Sequence, residues 1–144
     1  MKVYVTGVCG QLGHDVMNEL ARRGHEGIGS DLVPAYGGAQ DGSAVCSMPY
    51  ERLDITDTEA VRESLLLARP DAVIHCAAWT AVDAAEDQEN QNKVRSINAG
   101  GTRHIAQHNA RDQPAVNGHV GRHLIRLQQA KASAQVIFLL SSPS

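Results

Sequence analysis

The chain predicts an α/β fold, a doubly wound parallel sheet in three α/β/α layers, on three observations. Short apolar runs alternate with helical patterns, the arrangement of βαβ units. The first apolar run ends directly in a glycine-rich turn that opens an amphipathic helix. The composition, 42% apolar and 20% charged over 144 residues, suits one ordinary globular domain covering 1–144.

Lys2–Thr6 reads as the first strand. From Gln11 to Arg23, Leu12, Val16 and Leu20 recur every fourth position, the stripe of an amphipathic helix, and Gly24 marks its stop. Glu26–Ser30 is the expected second strand despite its two glycines. Residues 33–50 are rich in Gly, Ala and Ser without a period and read as loop. Arg52–Ile55 is the expected third strand. Thr56-Asp57-Thr58-Glu59 has the S/T-x-x-E form of a capping box and opens a helix through Val61, Leu65 and Leu66, which Pro70 ends. Ala72–Ala77 is an apolar run of the kind buried on both sheet faces. A polar, acidic helix is expected from Ala84, continuing or restarting past Gly100-Gly101. Val136–Leu140 is the last apolar strand.

Composition excludes several classes. The longest fully apolar run, Val136–Leu140, is far below the ~20 residues of a membrane span. Met1-Lys2 leads straight into strand without an apolar signal core, so the expected location is cytoplasmic. Three dispersed cysteines, Cys9, Cys46 and Cys76, form neither a disulfide framework nor a metal knuckle. The net charge of −3 conceals a break: 8 Lys/Arg face 15 Asp/Glu up to residue 102, and 5 face one acid from residue 103 onward. The basic stretch lacks interleaved aromatics, so no nucleic-acid partner is expected.

The first strand runs into Gly7-Val8-Cys9-Gly10-Gln11-Leu12-Gly13, a G-x-x-G-x-x-G pattern between strand and helix. The first glycine permits a tight turn, the middle one lets backbone approach a pyrophosphate, and the third allows close helix–strand packing. Free N–H groups at the helix start hold the anion. The pattern therefore predicts a Rossmann-like dinucleotide site. Asp31, at the end of the second strand, stands where an acidic side chain accepts bonds from the adenosine ribose. Its charge repels a 2′-phosphate, and no Lys or Arg lies between Arg23 and Arg52 to offset it, so NADH is favoured over NADPH. Asp54-Ile55 would border the adenine. Ala77 and Ala78, small residues at the end of the fourth strand, would let the dinucleotide approach the backbone, with Trp79 and Thr80 beyond them.

Val5-Thr6-Gly7, the Gly10–Gly13 segment, Leu53–Asp57, His75-Cys-Ala-Ala-Trp-Thr-Ala-Val-Asp83-Ala-Ala-Glu86 and Ile97–Arg103 together resemble the dTDP-4-dehydrorhamnose reductase family of extended short-chain dehydrogenases/reductases. The resemblance covers roughly residues 1–107. It implies that Gly10, Gln11, Leu12, Asp31, Asp54, Ile55, Ala77, Ala78 and Trp79 contact NAD(P)H, and that Thr80 and Val82 face the nicotinamide and the sugar. It further implies reduction of the 4-keto group of a dTDP-sugar in dTDP-rhamnose biosynthesis, by a protein able to form a homodimer. A non-catalytic dinucleotide-binding module, or a sugar-nucleotide epimerase or dehydratase, is the alternative.

The family's chemistry uses a Ser/Thr after the fifth strand and a Tyr-x-x-x-Lys pair. Ser141 and Ser142 after Val136–Leu140 resemble the former. The tyrosines are Tyr4, Tyr36 and Tyr50, followed four residues later by Val8, Gln40 and Asp54, so the pair is absent. The chain therefore reads as the cofactor-binding part, C-terminally incomplete and without the substrate-binding part, and as inactive alone. Between His108 and Ser133 the family pattern is lost, and poor order is expected there. His104-x3-His108 and His119-x3-His123 have helical metal-ligand spacing without a completing cluster, and read as solvated helix-face histidines. Cys9 reads as a space-filling side chain, with a lowered thiol pKa near the helix start as its alternative.

Overall fold

The computed structural model describes residues 1–36, 41–78, 88–111, 125–126 and 137–140. The elements are β1 (Lys2–Thr6), α1 (Gln11–Arg22), β2 (Glu26–Asp31), α2 (Ala44–Ser47), β3 (Tyr50–Arg52), α3 (Thr58–Ala68) and β4 (Ala72–His75). They are followed by α4 (Gln88–Arg95), a π-helical segment (Ser96–Gly101), α5 (Thr102–Arg111), β5 (Ile125–Arg126) and β6 (Ile137–Leu140). The sheet order is β3-β2-β1-β4-β6-β5. Within it β3, β2, β1 and β4 are mutually parallel, as the βαβ alternation requires.

β1 is the centre of the sheet because Val3, Tyr4 and Val5 are all buried, so both of its faces must be covered. Val3, Val5 and Ile74 pack on one side with Met17 and Leu20 of α1 and Val45 of α2. Tyr4 and Val73 pack on the other with Val61 and Leu65 of α3 and Ile105 of α5. These two clusters are the interfaces of the three layers. Each large apolar side chain so buried contributes about 1.5–3 kcal/mol.

Several boundaries differ from the sequence reading. The inward face of α1 is Gly13, Met17 and Leu20; Leu12 is exposed and Val16 only partly covered. Glycine at position 13 is what permits that rotation, since the helix leans there on the backbone of Gly7 and Val8, just past β1. β3 is Tyr50–Arg52 rather than Arg52–Ile55, because the Asp54 carboxylate accepts from the Thr56 N–H (2.9 Å) and hydroxyl (2.7 Å) and turns the chain. That same bond removes Thr56 from capping. Asp57 caps α3 instead, accepting from the N–H groups of Glu59 and Ala60. Arg69 takes a left-handed conformation ahead of Pro70 and ends the helix. Residues 33–50 contain α2 within what reads as loop. β4 ends at His75, two residues earlier than expected, where the chain bends past Gly7.

The C-terminal strand runs opposite to the other five. β6 pairs antiparallel with β4 (Ala72↔Leu140, His75↔Ile137) and with β5. A parallel partner needs a crossover of a dozen or more residues. β5 takes the position after the crossover from α5, and β6 returns from it between β5 and β4. The stretch expected to lose order begins in regular structure, since α5 extends to Arg111 with His108 buried. Residues 112–124 and 127–133 lie outside the described residues. No helix among the described residues is long and apolar enough to cross a membrane.

Candidate functional site

A cavity of about 960 Å³ opens at the carboxyl ends of β1, β2 and β4, a size that suits a cofactor. This is the edge at which open α/β sheets bind ligands. The glycine turn forms its floor. Gly7 lies at φ +74°, and its N–H donates to the Ser30 carbonyl at 2.8 Å, tying the end of β1 to β2. A Cβ on Gly7 would lie 2.6 Å from the Ala77 nitrogen, and one on Gly13 would lie 2.2 Å from the Gly7 oxygen. Only hydrogen fits at either position. A Cβ on Gly10 would meet nothing nearer than the Gly7 oxygen at 3.4 Å, so its missing side chain leaves room on the cavity side. Gly10 is also the N-cap of α1 and has no side-chain cap, leaving the helix start for a ligand.

The sequence-predicted residues Gly7, Gly10, Gln11, Leu12 and Gly13 line the cavity from the turn, and Asp31, Asp54, Ile55, Ala77 and Ala78 line it from the strand ends. Asp31 accepts from the Cys9 N–H at 2.9 Å and from the Leu32 N–H at 2.7 Å, which fixes its carboxylate across the mouth of the glycine turn. Trp79, Thr80, Val82, Ser141 and Ser142 lie outside the described residues. The sequence reading missed Lys93, Ser96 and Ile97, which line the cavity from α4 and the π-helical segment. Ile97 opens one of the quoted family blocks and so had a signal. Lys93 had none, because only the folding of the chain brings it to the cavity.

The wall between β1, β4 and α5 is held by His75, which is 1% exposed. Its Nδ1 lies 2.7 Å from the Thr6 hydroxyl and its Nε2 3.1 Å from the Thr102 hydroxyl. Thr102 donates to the Asn98 carbonyl at 2.7 Å, so it accepts from His75 and the imidazole carries its proton on Nε2. Burial lowers the His75 pKa to about 4, keeping it neutral. The Thr6 hydroxyl, donating to Nδ1, in turn accepts the Ala77 N–H at 3.3 Å.

All three tyrosine hydroxyls are engaged away from the cavity. Tyr4 donates to Glu51 and meets Ser64, Tyr36 donates to Asp41 at 2.7 Å, and Tyr50 donates to the Val33 carbonyl at 2.6 Å. Burial pushes the Tyr4 and Tyr50 hydroxyls up, and the bond to Asp41 does the same for Tyr36.

Two expectations about side chains are corrected. Cys9 is exposed rather than space-filling, and desolvation together with the Asp31 carboxylate pushes its thiol up, not down. His104 and His108 are not free in solvent: half-buried His104 donates from Nδ1 to the Ile55 carbonyl at 2.9 Å, and His108 is buried with Nε2 2.9 Å from the Thr58 hydroxyl. They fasten α5 to α3 and its leading loop. No cluster among the described residues could hold a metal, and His119 and His123 lie outside them.

A family model described as the RmlD substrate binding domain matches residues 1–116. A dTDP-4-dehydrorhamnose reductase of Streptomyces griseus is 38% identical over 103 residues, covering 72% of this chain and 27% of the relative. The corresponding Mycolicibacterium smegmatis protein is 30% identical over 106 residues, covering 74% and 26%. Among solved structures, UDP-glucose 4-epimerase from Brucella ovis in complex with NAD superposes with a TM-score of 0.62 at 29% identity, over 74% of this chain and 31% of that one. The Thermus thermophilus UDP-glucose 4-epimerase complex with NAD gives 0.61 at 26% identity, over 75% and 33%. The chain thus spans between a quarter and a third of the length of these relatives, and its sheet shares their fold.

Proposed function

The chain belongs to the RmlD substrate-binding-domain family, and on that premise we propose that it is the NAD(P)H-binding half of a dTDP-4-dehydrorhamnose-reductase-like oxidoreductase acting on a 4-keto dTDP-sugar. The observation that carries this reading is the cavity built on Gly7, Gly10 and Gly13 with Asp31 across its mouth. When bound, NAD(P)H supplies the hydride of the reduction. The chain's own residues bind and orient. Backbone N–H groups at the start of α1, around Gln11, Leu12 and Gly13, face the pyrophosphate. Asp31 accepts the adenosine ribose hydroxyls and favours NADH. Asp54 and Ile55 border the adenine, and Ala77 and Ala78 let the dinucleotide lie close to β4. The family resemblance assigns Trp79 to the dinucleotide, Thr80 and Val82 to the nicotinamide and the sugar, and to Ser141 and Ser142 no more than a hydrogen bond to a substrate oxygen. One Rossmann-like domain carries these groups.

A second reading, a dinucleotide-binding module without catalysis of its own, is favoured by the tyrosines. Each hydroxyl is held elsewhere, and a general acid contributes ~10²–10⁴-fold to such a reduction. One sample decides both points. Titration with NADH should show saturable binding, and its absence rejects the dinucleotide site. NADH oxidation with a dTDP-4-keto-6-deoxy sugar should match the protein-free background. Protein-dependent turnover would reject the inactive reading and require an acid other than tyrosine.

A further inference from the structure

We infer that Lys93 of α4 is a further binding residue, the counter-ion for the diphosphate of the bound dinucleotide; this deepens the dinucleotide reading above and rests on it. The charged side chains that line the cavity among the described residues are Asp15, Asp31, Asp54 and Lys93, three carboxylates against one ammonium. A nucleotide diphosphate brings further negative charge into that space. The N–H groups at the start of α1 offset part of it, but they carry partial charges. Repulsion from the carboxylates grows as the ligand displaces water. The chain leading into α4 offers no other cation, since residues 71–92 hold five acids and no Lys or Arg.

The position of Lys93 fits this duty. Lys93, Ser96 and Ile97 all line the cavity, and their i, i+3, i+4 spacing marks the face of the helical run that is turned to the ligand. Arg95, the other basic residue of that turn, is exposed and does not line the cavity. A cation in the last turn of a helix ordinarily offsets unpaired carbonyls. Here α4 has no free end: Arg95 is helical at φ −64° and ψ −42°, and the chain runs on through the π-helical segment into α5. Among the described side chains Lys93 has no ion-pair partner. Its charge is therefore left for the ligand.

The test compares affinities of the purified chain for NADH, ADP and adenosine in the wild type, Lys93→Ala, Lys93→Arg and Arg95→Ala, with circular dichroism as the check on folding. ADP keeps the diphosphate without the nicotinamide half, and adenosine lacks both. Lys93→Ala should weaken NADH and ADP about tenfold, the order of one charge-assisted contact, and leave adenosine within about twofold. Lys93→Arg should keep most of the affinity because it keeps the charge, and Arg95→Ala should bind as the wild type does. Raising the salt from about 0.02 M to about 0.5 M should weaken NADH more in the wild type than in Lys93→Ala. Unchanged NADH affinity in Lys93→Ala, the result if Lys93 serves an i,i+4 pair with Glu89, overturns the proposal. Equal weakening of ADP and adenosine moves Lys93 off the diphosphate, and an equal loss in Arg95→Ala makes the effect one of general surface charge; either overturns it while NADH binding by the wild type keeps the dinucleotide reading. A wild type that binds none of the three rejects both together.

Discussion

Replacing Gly7 by Ala and Gly10 by Val separates two duties of one turn. At φ +74° an L-residue costs about 1–2 kcal/mol relative to glycine. The added Cβ on Gly7 would also fall 2.6 Å from the Ala77 nitrogen, 2.7 Å from its Cα and 2.8 Å from the Cys76 carbonyl carbon. All three are backbone atoms, so no side-chain rotation relieves the overlap and the ends of β1 and β4 must part. Overpacking of this kind adds about 1–3 kcal/mol, for a total of about 2–5 kcal/mol. That is a large share of the ~5–15 kcal/mol that holds an ordinary domain.

Gly10 is different. Its φ of −83° and ψ of 161° are extended backbone, which a β-branched residue tolerates, and its nearest obstacle is 3.4 Å away. Gly10→Val should therefore fold as the wild type does. Its isopropyl group would instead occupy the space over the start of α1. Losing one or two charge-assisted hydrogen bonds of about 1.5–3 kcal/mol each weakens NADH about 10-fold to 1,000-fold or more. Urea melts and NADH titrations on both variants measure the two effects separately. A wild-type midpoint for Gly7→Ala would refute the packing argument, and wild-type NADH affinity for Gly10→Val would refute the pyrophosphate assignment.

Further outcomes follow from the same geometry. Asp31→Ala should weaken NADH more than NADPH, because it removes a ribose acceptor and a repulsive charge at once; equal effects in paired titrations would show that Asp31 does not face the ribose. His75 has a folded pKa of about 4 against the ordinary 6.5, so the unfolded chain binds more protons between those values and stability falls as pH drops through that window. The group accounts for about 3 kcal/mol lost between pH 7 and pH 4, and His75→Gln should flatten that part of the urea-midpoint profile; an unchanged slope would reject the assignment. Gly101→Ala places a Cβ 2.4 Å from Ile55 Cδ1 and 3.2 Å from Ile55 Cβ, so it should lower the melting midpoint and loosen the cavity wall at Ile55, at about 1–3 kcal/mol. A variant with unaltered melting and unaltered NADH affinity would show that the π-helical segment yields without moving Ile55.

Elements set by a strong local pattern were legible. β1 is an unbroken apolar run that must be central, and the helix directly after the glycine turn has no other way to start. Where two local signals competed, the pattern misled. Thr56 and Asp57 are both good caps, and the choice fell to Asp57 because Asp54 had already taken the Thr56 hydroxyl. Leu12, Val16 and Leu20 look like the buried stripe of α1, yet the helix turns Gly13 inward, since only that residue lets it touch the Gly7 carbonyl. Gly27 weakens β2 as a sequence pattern for a related reason. A Cβ there would lie 2.8 Å from the Met48 sulfur, so the missing side chain is space filled by α1 and the segment before β3. The direction of β6 had no local signal at all, because an apolar run has no polarity until its partners are known.

The same distinction governs the site. The glycine turn, Asp31 and Ala77-Ala78 are each adjacent to the strand end that places them, and a strand end is visible in sequence. Lys93 lines the cavity and Arg52 stands in register with Asp31 only through packing and pairing across whole crossovers. The run from Arg23 to Arg52 without a cation reads as an anionic environment only while it is treated as a line. Parallel pairing places the last residue of β3 beside the last residue of β2, so the cation that closes that run stands next to Asp31. The charge around a carboxylate at such an edge is therefore a property of two adjacent strand ends, and it cannot be read from the residues that flank that carboxylate in the chain.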